Sequence, residues 1–273
     1  MSVPAATQAG RASRLCFALL SDTHIGPGET FESQGIQTAA RARRVVRAVE
    51  ALIEKPAFIV HLGDIVADPD PRSEELAREI FNPLTSPLWY LAGNHDRSEE
   101  VSQLLPREQG DRFTQGPSPV SYAFSCRGHR FVALEPHESA SPWNGRLADE
   151  QFDFLDAELS SAPQSLTIFL HYPARPLHVP WVDSRMILEN GPQLHALLKG
   201  QPAGQVRGVF SGHIHRAVGV LDEGIFYQSV PASAVAMNIQ PGVLEPSYFP
   251  EPAPMFTLVR FESNQMIVSH HQA

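Results

Sequence analysis

The chain has 273 residues, of which 42% are hydrophobic and 19% charged, with a formal net charge of −9. A chain of this length holds one large domain or two small ones around a substantial core. The acidic balance argues against a surface that tracks the phosphates of a nucleic acid polymer, because the longest basic group, "RARR" at 41–44, falls on a helical pattern as a solvated face.

In chain order, residues 1–13 are small and polar and read as a disordered tail, leaving 14–273 as a single domain. "RLCFALL" (14–20) reads as a buried strand, and its apolar part is too short for a signal-peptide core or a membrane span. Cys16 and Cys126, the only cysteines, lie in apolar runs and make no disulfide framework, which points to a reducing compartment and a cytoplasmic location. A helix follows over 35–54, with Ala40, Val45, Val46, Val49, Leu52 and Ile53 along one stripe. "AFIVHLGD" (57–64) is the next strand, 72–81 a helix, and "PLWYLAGNHD" (87–96) a strand with its exit turn. This βαβαβ rhythm predicts a parallel sheet.

Further on, 121–136 reads as a hairpin turning at Arg127-Gly128. A helix (148–162), a buried strand (166–171), a short helix (191–200) and another strand (206–213) follow. The remainder is strand-like except for the proline-crowded stretch 241–254, which reads as an irregular loop. The predicted architecture is α/β, with two packed sheets and helices outside.

Ligands of open α/β sheets bind beyond the carboxyl ends of the strands. Here those ends carry Asp22 and His24 ("SDTH"), Asp64 ("GD"), Asn94, His95 and Asp96 ("GNHD"), His171, and His213 with His215 ("SGHIH"). Asx residues after strands are common turn formers, so each alone is weak evidence. Together, carboxylates, imidazoles and an amide in one buried pocket require a cation, because each desolvated carboxylate otherwise costs several kcal/mol. Asp22, His24, Asp64, Asn94, His171, His213 and His215 exceed the usual four ligands of one zinc and suffice for two ions, with Asp64 bridging. Nitrogen and oxygen donors without thiolate suit manganese, iron or zinc. Two such ions bind a hydroxide and clamp a phosphate for displacement.

The ordered string "DTH", "GD", "GNHD", "LHYP" and "GHIH", spanning 22–215, resembles the calcineurin-like metallophosphoesterase superfamily. Within it the chain looks like the bacterial class III cyclic-nucleotide phosphodiesterases and their glycerophosphodiesterase relatives. "NGRLADEQFDFLDAEL" (144–159) matches that group at Gly145, Leu147, Gln151 and Leu155, and 181–198 is similar as well. The resemblance implies a four-layer α/β/β/α sandwich of two mixed sheets flanked by helices. It assigns Asp22, His24 and His215 to one divalent or trivalent ion, Asn94, His171 and His213 to the other, and Asp64 to both. It makes His95 the catalytic group near the phosphate, held in orientation by Asp96. Departures are Tyr172 where a second histidine is frequent, Phe154 where tryptophan is usual, Glu135 in place of aspartate, and the continuation "GDIVADPDP".

The implied function is hydrolysis of a small phosphodiester, a cyclic nucleotide or a glycerophosphodiester, by a metal-bridging hydroxide. A phosphomonoesterase using the same site is the alternative, and a non-catalytic scaffold is disfavoured because every proposed ligand is present. No membrane is expected as a partner, and a homodimer is the expected assembly. His61 and His195 read as structural, and His178 as a candidate substrate contact.

Overall fold

The computed structural model describes residues 14–109, 112–139, 143–161, 165–249 and 253–273; the expected tail at 1–13 lies outside them. A five-stranded sheet runs in the order Gln265–Gln272, Met255–Glu262, Leu15–Leu20, Ile59–His61, Leu88–Tyr90. Its last three strands are parallel, as the βαβαβ rhythm predicts, and the C-terminal hairpin adds to it antiparallel. A seven-stranded sheet runs Val218–Asp222, Ile225–Ser229, Val206–Ser211, Leu166–Phe169, His129–Ala133, Tyr122–Cys126, Phe113–Gln115.

Local chemistry sets these elements. Arg127 and Gly128 both have positive φ, which gives the hairpin a turn whose twist suits its strands. Asp70 caps the helix Pro71–Phe81 by accepting the Arg72 amide at 2.8 Å, with Pro71 in the first turn. The first long helix is Thr38–Glu50, shorter than expected. It buries Ala39, Ala42, Val45, Val46 and Val49, whereas Ala40 faces solvent and Ile53 lies beyond its end, fully exposed.

The sheets pack face to face through phenylalanines. Phe17 and Phe261 of the first sheet, with Phe58 just ahead of its Ile59–His61 strand, meet Phe131, Phe169 and Phe210 of the second. All but Phe58 are within 1% of complete burial, and Phe58 is 2% exposed. The Phe17 ring lies 5.0 Å from Phe58 in a stack and 5.5–6.3 Å from the other four edge-on, arrangements that add to area burial. The helices Thr38–Glu50 and Pro71–Phe81 complete this core on the outer side of the first sheet. Asp149–Ser161 and Gly191–Lys199 cover the second sheet with Leu155, Leu159, Leu194 and Leu198. A buried Arg130–Glu158 pair, with contacts of 2.7 and 2.9 Å, ties sheet to helix. The result is the expected four-layer sandwich. No helix among the described residues is long and apolar enough to cross a membrane.

Within 241–254, Tyr248–Phe249 pairs antiparallel with Ala236–Met237, so this segment is not wholly irregular. Two residues per strand carry too little periodic signal to stand out among prolines.

Phe17→Ala should lower the unfolding free energy by about 3–5 kcal/mol, because it empties a site enclosed by five rigid rings. Guanidinium denaturation followed by circular dichroism measures this; a loss below about 1 kcal/mol would show that the sheets do not depend on the phenylalanine layer.

Candidate metal centre

The carboxyl ends of five strands converge. Backbone bonds lace them together: the Asp22 amide donates to the Gly63 carbonyl, the His24 amide to Asp64, and the Gly212 amide to His171. The Asp22 carboxylate accepts the His213 amide, and the Asp64 carboxylate accepts the His95 amide at 3.0 Å. The chain turns so tightly here that Asp22, His24, Asp64, His213 and His215 all have positive φ. For residues with a Cβ this costs on the order of 1–3 kcal/mol each and persists only where the surroundings dictate it.

Two glycines make the close approach feasible. A Cβ at Gly93 would overlap the Asp64 carboxylate and crowd its backbone nitrogen. One at Gly212 would overlap the Ser21 hydroxyl and press on Asp22. Gly93 does not have positive φ, so the glycine of "GNHD" provides clearance for its neighbour as well as a turn.

Four imidazoles surround the two carboxylates. Main-chain carbonyls, which can only accept, fix three of their tautomers. His171 Nδ1–H donates to Leu62 at 2.7 Å, His215 Nδ1–H to Val235 at 2.7 Å, and His213 Nε2–H to Trp143 at 3.0 Å. The other nitrogens turn inward. His171 Nε2 lies 3.1 Å from His213 Nδ1, and His215 Nε2 lies 3.1 Å from His24 Nε2. Asp64 Oδ2 stands between the pairs, 3.3 Å from His171 Nε2 and 3.6 Å from His24 Nε2, and Asp22 Oδ1 is 3.5 Å from His215 Nε2.

Nitrogen lone pairs aimed at one another need positive charge between them. Burial pushes the His24 imidazole down to about 3 and holds His213 well below its ordinary value, so both are neutral, as ligands must be. Burial raises the Asp22 carboxyl. At Asp64 burial acts the same way but is outweighed by His171, and the carboxyl is held well below its usual range. Burial would lower His171, yet the neighbouring Asp64 charge pushes it up to about 9, so the pair draws in a proton as its cation. The Asn94 side-chain oxygen is buried without a hydrogen-bond partner. An orphaned carbonyl oxygen beside converging nitrogens and carboxylates fits a metal: Asp22, His24, Asp64 and His215 could hold one ion, and Asp64, His171 and His213 a second.

His95 is half-buried at the cavity, and its ring stands edge-on to His24 with centroids 4.9 Å apart. Its Nδ1–H donates to the Ala67 carbonyl. Asp96 does not hold this ring, contrary to expectation. Its carboxylate accepts the amides of Ile65, Val66 and Gly93 at 2.9–3.1 Å, bracing the Asp64 loop against the Asn94 loop. Burial, with Asp64 nearby, pushes Asp96 up to about 6.

Tyr172, the substitute for a second histidine, is buried with its ring 4.5 Å from that of His213. Gly145 leaves room for it. Gln151 donates to the Ser121 hydroxyl at 3.0 Å and to the Glu135 carbonyl, and the Glu135 carboxylate accepts Ser98 Oγ–H and the Val120 amide. His61 is fully buried beside the site, its Nε2 3.0 Å from Thr23 Oγ1, and His195 bonds Tyr227 and Glu223 away from the cavity. His178 is exposed and does not line the cavity. The carbonyls of Leu62, Ala67, Trp143 and Val235 carry no side-chain signal that sequence could reveal.

The sequence profile described as calcineurin-like phosphoesterase matches residues 16–217. A probable cyclic nucleotide phosphodiesterase of Synechococcus is 29% identical over 77% of this chain and 76% of its own. A glycerophosphodiester phosphodiesterase of Enterobacter lignolyticus is 32% identical over 74% and 71%, and a 3′,5′-cyclic adenosine monophosphate phosphodiesterase of Pseudomonas aeruginosa is 32% identical over 72% and 68%. Among solved structures, a purple acid phosphatase from yellow lupin superposes with a TM-score of 0.66 at 15% identity, over 96% of this chain but only about half (52%) of that one. The anchor protein GAP50 of the Plasmodium inner membrane complex superposes with a TM-score of 0.60 at 15% identity, over 95% and 84%.

Gly93→Ala should fold normally by circular dichroism but bind added Mn²⁺ at least roughly tenfold more weakly, because Asp64 must shift. Unchanged affinity in calorimetric titration would show that the clearance at Gly93 is not what sets the site.

Proposed function

The chain belongs to the calcineurin-like phosphoesterase family, and on that premise we propose that it hydrolyses a small phosphodiester at a dinuclear metal centre. The observation that carries this reading is the position of the Asp64 carboxylate between two groups of converging donors. Asp22, His24 and His215 would hold one ion, Asn94, His171 and His213 the other, and Asp64 both. Manganese, iron or zinc suits this donor set. When bound, such a pair neutralises phosphate charge and supplies a water nucleophile near neutral pH.

The protein's own groups complete the chemistry. Asp64 and Asp22 are held by backbone amides, so neither carboxylate swings during turnover. With Nδ1–H given to Ala67, the His95 ring has only Nε2 for the substrate. From Nε2 it would donate a proton to a phosphate oxygen or to the departing alkoxide, general-acid work that a positioned imidazole performs. Asp96 acts at one remove, by holding the loops that carry Asp64 and Asn94. The names of the similar proteins, cyclic-nucleotide and glycerophosphodiester phosphodiesterases, support a diester substrate. A scaffold role finds support in the GAP50 likeness only at the level of fold, and the intact donor set speaks against it.

Bis(p-nitrophenyl) phosphate should be turned over faster than p-nitrophenyl phosphate by the Mn²⁺-loaded protein, and hydrolysis of the monoester alone would refute the diesterase assignment. His95→Ala should retain its metal content while turnover falls on the order of 10²–10⁴-fold. Asp64→Ala should lose both. Elemental analysis beside steady-state kinetics makes the comparison, and equal metal loss in the two variants would place His95 among the metal ligands.

A further inference from the structure

Above the donor cluster lies a cavity of about 320 Å³. Its floor is His24, Asp64, Asn94, His95, His213 and His215. Its walls are largely apolar: Phe31, Trp143, Met186, Met237 and Tyr248. Trp143 and Tyr248 stay 49% and 42% exposed, although aromatic rings of this size dominate core energetics when buried. Among the described residues no lysine or arginine lines the cavity, and the polar groups on its rim are Ser33, Gln34 and Asp68.

Both exposed rings are tied to the donor cluster by the backbone. The carbonyl of Trp143 itself accepts the His213 Nε2–H. Tyr248 pairs with Met237, in a strand that begins one residue after Val235, whose carbonyl accepts the His215 Nδ1–H. One ring is thus placed relative to the His171–His213 donors and the other relative to the His24–His215 donors. A phosphate held over the cluster would carry its alcohol groups towards these walls.

We infer that the cavity selects a phosphodiester in which one alcohol bears a flat, uncharged aromatic ring, such as a nucleobase, with Trp143 and Tyr248 as the residues that recognise it. The inference rests on the diesterase reading above and narrows it. Rings stack on rings whatever the base, and an amine or hydroxyl on the ring or sugar finds acceptors in Asp68 and Gln34. Among the described residues lining the cavity a second phosphate would find no side-chain cation, which disfavours substrates carrying a further terminal phosphate.

The test compares Mn²⁺-loaded wild type, Trp143→Ala, Tyr248→Ala and Trp143→Phe on adenosine 3′,5′-cyclic phosphate and on glycerophosphoethanolamine. Each alanine variant should lose roughly tenfold in kcat/KM on the nucleotide, mainly through KM, as expected for one lost stacking contact. The ratio of nucleotide to aliphatic-diester kcat/KM should therefore fall roughly tenfold in each alanine variant, and Trp143→Phe should restore most of it. Equal losses on both substrates, or none, would overturn the inference. Calorimetric binding of the same two compounds, in a His95→Ala background that slows turnover, separates it from the diesterase reading. If wild type hydrolysed neither compound, yet the nucleotide bound more tightly and the alanine substitutions erased that preference, the diesterase reading would fall and the aromatic recognition would stand. Indistinguishable binding of the two compounds would overturn the recognition.

Discussion

Two carboxylates, Asp22 and Asp64, sit almost wholly out of water with the nitrogens of four imidazoles turned towards them. Such an arrangement is unfavourable for the protein alone, because desolvated charge and opposed lone pairs both demand a cation. The rest of the local structure follows from maintaining it. Left-handed backbone at five of the candidate ligands folds the strand ends inward. Gly93 and Gly212 remove the methyl groups that would keep neighbouring loops apart. Three carbonyls take the protons of the outer imidazole nitrogens, which turns the inner ones towards the cluster.

A site that works against folding has to be carried by something that favours it. The phenylalanine layer between the sheets serves that purpose. It is contributed in part by strands whose ends supply the ligands: Phe17 precedes Asp22 by five residues, and Phe169 precedes His171 by two. The rigidity of the layer is transmitted to the donors through very little chain. Tight packing in the interior and strain at its edge are two ends of the same strands.

Much of this was legible in the sequence because strand ends and short motifs coincide. The alternation of apolar runs and amphipathic stretches indicated the parallel strands, and Arg127-Gly128 marked its hairpin. Polar residues directly after apolar runs picked out the seven candidate ligands, which the fold brings into one place. What could not be read was geometry that belongs to the main chain. Asp96 looked like a partner for the adjacent His95, but its carboxylate serves three amides and a carbonyl takes the ring. The two-residue strand at Tyr248–Phe249 was hidden among prolines, although it supplies a wall of the cavity. The stripe on the first helix was displaced because alanine is equally at home on either face: Ala39 is buried and Ala40 is not.

Trp143 and Val235 each give a carbonyl to the donor cluster and each also line the cavity. A carbonyl is common to all twenty amino acids, whereas the side chain is replaceable. Selection on substrate range could therefore rewrite these positions generation after generation while the reaction chemistry is inherited intact. A family with one set of reaction groups and many substrates is the outcome such wiring favours.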